Sequence, residues 1–133
     1  HRVEKAQCVF VLDSGYERHQ NRYHYALSRA MSIADKPVLG YASTTATQRV
    51  NGLLFHYSGA KTFAVAMNAF REMAYALSRQ WGTYTNESLT GRHIYGHEHY
   101  RYRWRGPSTV ITLTADFHSG SGEVFVEYLP IIY

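Results

Sequence analysis

The chain has 133 residues, a formal net charge of +4 and one cysteine. Apolar residues at 45% and charged residues at 18% are typical of a globular protein and exclude a disordered chain. The single Cys8 excludes an internal disulfide framework and a cysteine-rich zinc site. The length predicts one domain over residues 1–133, and no apolar run is long enough to span a bilayer.

The composition also bears on where the protein works. The first residues, HRVEKAQ, contain neither an initiating methionine nor a signal peptide, which is typical of a processed mature protein or of a trimmed chain. The chain is rich in Tyr, Ser and Thr and has little Lys, so we expect a secreted or periplasmic protein. A cytoplasmic location is also compatible with this composition.

The N-terminal half contains β-rich apolar runs and one stretch with helical spacing. Residues 7–12 predict a short strand that ends at a turn signal. Residues 17–35 predict a helix, because apolar residues recur at helical spacing and a proline follows. Residues 38–47 are compatible with a loop or an edge strand. Residues 48–57 predict a strand in which Gly52 marks a bulge or a close backbone approach.

The clearest helix is predicted over residues 60–81, where one apolar stripe runs the whole length. Ser58 is the expected N-cap, and Gly82 is the expected C-terminal cap because glycine adopts the left-handed conformation at little cost. Residues 83–96 show no period and are predicted to be a loop.

The C-terminal third predicts three strands, at residues 97–105, 108–117 and 123–129, because apolar and polar residues alternate there. The order of elements is therefore β-α-β-α-β-β-β. This order favours a two-layer α+β fold, with a largely antiparallel sheet and two helices packed on one face.

Two kinds of side chain alternate along residues 97–105. Tyr100, Tyr102 and Trp104 form an aromatic row that we expect to pack against a helix. The opposite side holds the His/Arg row, which consists of His97, His99, Arg101, Arg103 and Arg105.

A turn over residues 105–108 predicts how this strand pairs with the next one. On the side of the His/Arg row, the predicted pairs are Arg103–Val110, Arg101–Thr112, His99–Thr114 and His97–Asp116, and on the aromatic side they are Trp104–Thr109, Tyr102–Ile111 and Tyr100–Leu113. The third strand is expected to bring Glu127 beside Thr112 and Glu123 beside Asp116. One interpretation of the row is therefore a sheet surface that neutralises its own charges.

A metal site is a second interpretation of the row. His97 and His99 are separated by one residue, so both imidazoles project from the same face of a strand, with Asp116 and His118 as the nearby candidate ligands. No second half-site supports this set, and solvated histidines explain the same pattern. We therefore predict neither a metal nor a cofactor.

A nucleic-acid binder or metal-independent ribonuclease is a third interpretation. Arg101, Arg103 and Arg105 could contact phosphates, and the histidines and Glu98 supply residue types for acid–base chemistry. However, alternation places the arginines and the aromatic rings on opposite faces, whereas a base-stacking platform needs both on one face. No coherent catalytic set is present, so no catalytic residue is assigned.

Protein recognition requires the least special geometry. Interfaces favour Tyr, Trp and Arg over Lys, and this chain has 12 Tyr and 2 Trp, with Arg at eleven of its 14 Lys and Arg positions. We expect Tyr84 and Tyr95 to join the His/Arg row in a contact surface. The leading hypothesis is a non-catalytic domain that binds another protein or a second copy of itself, of the inhibitor, immunity or assembly-subunit type.

Overall fold

The structure is a computed structural model that describes residues 8–10, 25–27, 29–47, 49–57, 62–88, 98–118 and 121–131. These residues form nine strands: β1 (Cys8–Phe10), β2 (Tyr25–Leu27), β3 (Met31–Ile33), β4 (Lys36–Thr44), β5 (Val50–Tyr57), β6 (Thr85–Asn86), β7 (Glu98–Arg105), β8 (Thr109–His118) and β9 (Ser121–Pro130). They also form one helix, α1 (Phe63–Trp81), between β5 and β6.

The strands pair in the order β1-β2-β4-β5-β9-β8-β7-β6, and β3 pairs with β4 outside this path. Every pair is antiparallel. Strands β7, β8 and β9 form a continuous meander, whereas β5 reaches β9 only after the chain has passed through α1 and that meander. No helix among the described residues has the length and apolar character needed to cross a membrane.

The predicted two-helix α+β fold is wrong, because the described residues contain a single helix and the fold is mainly β. Of the predicted helix 17–35, residues 25–27 and 31–33 are strands, and residues 17–24 and 28 lie outside the described residues. Strands β3 and β4 form a tight hairpin whose turn residues, Ala34 and Asp35, have φ angles of 51° and 62°. The turn contains no Gly or Asn, and Asp35 is its only residue of a type that tolerates positive φ, so the local signal for the turn is weak.

The predicted strands at residues 7–12 and 48–57 are confirmed over the described residues, whereas the interpretation of residues 38–47 as a loop or an edge strand is wrong. Residues 8–10 form β1, and residues 38–44 belong to β4, which lies between β2 and β5 and is therefore not an edge. Gly52 pairs with Ser43 and Val50 pairs with Thr44, so Asn51 is the extra residue of a bulge. The predicted bulge thus lies directly beside Gly52.

Helix α1 begins and ends with side-chain and backbone caps. The N-cap is Thr62, whose hydroxyl accepts a 3.2 Å hydrogen bond from the Val65 N–H. The predicted N-cap, Ser58, lies outside the described residues. Gly82 caps the C-terminus as predicted, with φ 89° and its N–H 2.8 Å from the Ser78 carbonyl oxygen.

Helix α1 packs on one face of β7, β8 and β9, which we call the inner face of the sheet. The helix buries Ala66, Ala69, Phe70, Met73, Ala74 and Leu77. The sheet contributes Trp104, Ile111, Leu113, Ala115, Phe117, Val124 and Val126 to the same core. The alternate residues of these strands therefore lie on the opposite face, which we call the outer face.

The register of β7 on β8 differs from the prediction by two residues. Arg105 pairs with Val110, and the Gly106 N–H donates to the Thr109 carbonyl oxygen at 2.8 Å, so the turn spans Gly106–Thr109. Pro107 then occupies the second position of the turn, where proline is favoured. An even shift leaves every residue on its predicted face, but it changes the partners across the two strands.

Candidate binding cleft

The outer face carries a cleft of about 470 Å³ that runs across β7, β8 and β9 to β5. Three members of the His/Arg row line it, namely His99, Arg101 and Arg103. Strand β8 contributes Thr112, Thr114 and Asp116 to the floor. The volume lies in the range of sites that hold small ligands, about 300–1,000 Å³.

His99 and Asp116 form the shortest polar contact in the cleft. The shift in register places them directly opposite each other on β7 and β8, where His97 had been predicted to face Asp116. The imidazole Nδ1 lies 2.5 Å from Asp116 Oδ1, and the side chains are 18% and 8% exposed. Because an ionised carboxylate can only accept, the Nδ1 atom carries the proton that is shared in this contact.

Arg101 is the cation of the cleft that makes no ion pair with another described residue. Its Nε atom is buried and has no hydrogen-bond partner. Its backbone is fixed by the segment after β6, since the Arg101 N–H donates to Ser88 Oγ at 3.1 Å and its carbonyl accepts from the Glu87 N–H at 2.8 Å. A buried donor without a partner costs about 1–3 kcal/mol, so an anion in the cleft would relieve that cost.

The other two arginines of the row differ from Arg101. Arg103 Nη1 lies 3.2 Å from Glu87 Oε2, and both side chains are partly exposed, so the pair contributes at most about 1 kcal/mol. Arg105 is exposed and lies outside the cleft. The three arginines therefore do not form one free basic track.

The far side of the cleft is apolar. Leu54 and Phe125 are buried there and pack with Tyr41 in a second hydrophobic cluster. Val110 and Leu129 lie in the cross-strand row of Arg105, and with Pro130 they line another apolar part of the cleft. One acid, Glu127, lies between the apolar end and Arg103, in register with Thr112 as predicted.

Glu123 lies beside Asp116, also as predicted, and its Oε1 atom is 3.7 Å from Nε2 of the buried His56. The His56 ring stacks on Phe125 with a centroid distance of 4.5 Å. Of the acids predicted to neutralise the row, Asp116 contacts His99, whereas Arg103 pairs with Glu87 instead and Arg101 has no ion pair with a described residue.

Tyr84 does not join the His/Arg row. It lies at the inner face, stacked on Tyr102 at 4.0 Å and near Trp104 at 5.5 Å, and it is 37% exposed. Tyr95 and His97 lie outside the described residues, as does the side chain of His118. The predicted contact surface is therefore divided between two faces of the sheet.

The described residues contain no group of three or more His, Cys, Asp or Glu side chains that could hold a metal ion. Of the four metal candidates, His99 and Asp116 contact each other. The other two are His97 and the side chain of His118, which are not described.

Three tyrosines of the inner face, Tyr100, Tyr102 and Tyr128, have a raised pKa. Burial raises the pKa of Tyr100, with the Glu98 carboxylate acting in the same direction. Burial also raises the pKa of Tyr102, assisted by a hydrogen bond with Tyr84, and burial alone raises the pKa of Tyr128. Ionised phenolates are therefore disfavoured on this face at neutral pH.

Two residues that matter to the cleft were missed by sequence reasoning. Glu87, the partner of Arg103, lies in the segment predicted to be a loop, and no local pattern links the two. Leu54 lies on β5, and its position beside Glu127 follows from a pairing between distant strands. Leu54 and His56 are two residues apart on β5 and therefore lie on the same face. This spacing was the one available signal that β5 presents a second face.

Comparisons with family models, with curated proteins and with solved structures gave no match for this chain. A function therefore has to rest on the chemistry of the cleft.

Proposed function

We propose that the protein is a binding domain that takes an acidic group of another protein into the cleft on its outer face. It would act as an inhibitor, immunity protein or assembly subunit. The observation that carries the proposal is Arg101, a cation of the cleft whose Nε is buried without a hydrogen-bond partner. Hydrogen bonds from a guanidinium to a carboxylate are about twice as strong as neutral ones, so an incoming anion is stabilised there.

The cleft favours one anionic group over a polyanion. Asp116 and Glu127 line the same cleft as Arg101, and Arg103 is already paired with Glu87. A nucleic-acid strand would bring several phosphates close to these carboxylates, and like charges in proximity repel. A single carboxylate contacts Arg101 without meeting that repulsion repeatedly along the face.

The apolar end of the cleft favours a protein partner. Leu54 and Phe125 are buried in the cleft lining, and Phe125 pairs with Thr114, which in turn pairs with Arg101. They offer contact area to the aliphatic part of an amino acid whose carboxylate reaches Arg101. A charged anchor surrounded by apolar contact is the usual composition of an interface hot spot.

Selection from a random peptide library tests this proposal. We expect the wild-type protein to select peptides enriched in Asp and Glu, and the Arg101→Gln variant to lose that enrichment. Arg105→Gln is the matched control, because Arg105 is on the same strand and face but outside the cleft. Equal enrichment for wild type and Arg101→Gln, or equal loss for both variants, would contradict the proposal.

Metal-independent cleavage of RNA is a second candidate, favoured by the contact between His99 and Asp116 beside Arg101. In such a reaction His99 Nε2 takes the proton of a ribose 2′-hydroxyl, and the 2′-oxygen bonds to phosphorus. The bond to the 5′-oxygen breaks, and that oxygen takes a proton from water, while Arg101 stabilises the charged phosphorane.

An RNA digestion in EDTA tests the second candidate. Formation of 2′,3′-cyclic phosphate ends by the wild type, and its loss in His99→Asn, would support cleavage. Glu123→Gln is the control, since Glu123 is exposed and is not part of the cleft lining. Intact RNA after incubation with the wild type would remove this candidate.

A further inference from the structure

Asp116 determines what His99 can offer to a ligand. The carboxylate accepts from Nδ1 over 2.5 Å, so Nδ1 carries a proton and Nε2 is the ring nitrogen that remains for a ligand. In the neutral ring Nε2 is a hydrogen-bond acceptor. The side chain of Asp116 is 8% exposed, so this orientation is enforced from a buried position.

His99 and Arg101 lie two residues apart on β7, and both line the cleft. Their Cα atoms are therefore about 7 Å apart along one face of the strand. When the His99 ring is neutral, the cleft sets a cationic donor, Arg101, beside an acceptor, His99 Nε2. A complementary ligand carries an anionic group and, within a few ångströms of it, an N–H or O–H donor.

We propose that the anionic group is the C-terminal carboxylate of a partner chain and that His99 selects it, an inference that rests on the function proposed above. In a chain terminus the carboxylate and the amide N–H are attached to the same Cα atom. The carboxylate binds Arg101, and the amide N–H donates to His99 Nε2. The carboxylate of an Asp or Glu side chain has no such donor at a fixed distance.

The volume of the cleft agrees with a chain end. About 470 Å³ is room for a short extended segment, whereas a helix with its side chains is about 10–12 Å wide. Phe125 lies opposite Thr114, in the same cross-strand row as Arg101, and with Leu54 it forms the apolar lining against which a terminal aliphatic side chain can pack. Capture of a terminal carboxylate is a recurrent mode of peptide recognition.

Titration of short peptides, followed by NMR chemical shifts, tests the inference. The probes are acetyl-Ala-Val with a free carboxylate, its C-terminal amide, acetyl-Ala-Glu-amide, and acetyl-Ala-Val methylated at the valine nitrogen. We expect the free acid to bind at least about tenfold more tightly than the other three, because each of them lacks either the terminal carboxylate or its adjacent N–H.

The variant His99→Asn refines the test. The asparagine amide can take the place of Nδ1 as donor to Asp116, but no group replaces Nε2. On this variant the free acid and its N-methyl form should bind equally, whereas Arg101→Gln should weaken every carboxylate.

Two outcomes would overturn the inference in different ways. Acetyl-Ala-Glu-amide binding as tightly as the free acid, still dependent on Arg101, would leave the proposed function standing and remove the C-terminal selection. Absence of any shift in the cleft with every peptide, or binding unaffected by Arg101→Gln, would contradict both.

Discussion

The inner and outer faces of β7, β8 and β9 are built from alternate residues of the same backbone, yet they differ in burial and in polarity. On the inner face Trp104 and Ile111 are fully buried beneath α1. On the outer face, Arg101 and Arg103 line a solvent-accessible cleft. The difference indicates that stability and recognition can be changed independently at neighbouring positions of one strand.

The energies of the two faces differ accordingly. Burying one large apolar side chain contributes about 1.5–3 kcal/mol, whereas a partly exposed ion pair such as Arg103–Glu87 contributes about 0–1 kcal/mol. Substitutions on the inner face should therefore change the free energy of unfolding, and those on the outer face should change binding.

The largest effect is expected for Trp104→Ala. The indole is fully buried, and its Nε1 donates to the Gly82 carbonyl oxygen at 3.1 Å. We expect the free energy of unfolding to fall by about 3–5 kcal/mol in urea titrations. The adjacent Arg105→Ala should change it by less than about 0.5 kcal/mol. A loss below about 1 kcal/mol for Trp104→Ala would contradict this assignment of the inner face.

Gly122→Ala should give the next largest effect. Gly122 lies on β9 beneath α1, where an added Cβ would overlap the Phe117 ring and lie 2.9 Å from the Ala66 Cβ. Overpacking of this kind costs about 1–3 kcal/mol. The matched control is Glu123→Ala, the next residue on the opposite face, which should leave the urea midpoint nearly unchanged. Equal urea midpoints for the two variants would contradict the expected difference between the inner and outer faces.

Arg101→Met should change the free energy of unfolding in the opposite direction. Methionine removes the unpartnered Nε while keeping an aliphatic side chain of similar length. We expect the free energy of unfolding to stay the same or to rise by up to about 1 kcal/mol, while binding is lost. A decrease of more than about 1 kcal/mol in thermal or urea unfolding would show that Arg101 stabilises the fold instead.

The smallest effect is expected at alkaline pH. Burial raises the pKa of Tyr128 above its ordinary 10.0, so the folded state holds the phenol proton more tightly than the unfolded state. The corresponding stability is present below pH 10.0 and is lost as the pH rises through the folded pKa. Urea midpoints of Tyr128→Phe should fall less steeply than those of the wild type between about pH 9 and pH 11. An equal dependence of the urea midpoint on pH for the two proteins would contradict this effect of Tyr128.

The meander was predictable because its strands have one buried and one solvated face. Residues 97–105, 108–117 and 123–129 were predicted, and the structure gives 98–105, 109–118 and 121–130. Alternation also assigned every residue of the His/Arg row that the structure describes to the correct face. Period-two patterns are reliable where a helix covers only one side.

The N-terminal half was harder to predict, for a local reason. Met31 and Ile33 alternate in β3, but apolar residues around them also fall at helical spacing, and the turn at Ala34 and Asp35 has no glycine. Short strands give too few alternations to distinguish the two periods. Pro37, interpreted as a helix stop, is a residue of β4 paired with Ser32.

The composition of the cleft was only partly predictable. The two-residue shift at the Gly106–Thr109 turn decided that His99, and not His97, contacts Asp116. Leu54 reaches the cleft through the pairing of β5 with β9, which no local pattern contains. The face of a strand on which a residue lies follows from the sequence, whereas its partner on the neighbouring strand depends on turns and on long-range pairing.

The pairing of β5 with β9 also has a consequence for how the sheet assembles. Residues Leu53–Tyr57 pair with Val124–Tyr128, which are separated from them by α1 and the whole meander. Closing so long a loop costs more entropy than forming the local hairpins, so contacts of this kind form slowly. We expect the meander and α1 to condense first and the β4–β5 hairpin to join them last, so that Phe55→Ala mainly accelerates unfolding and changes the folding rate little.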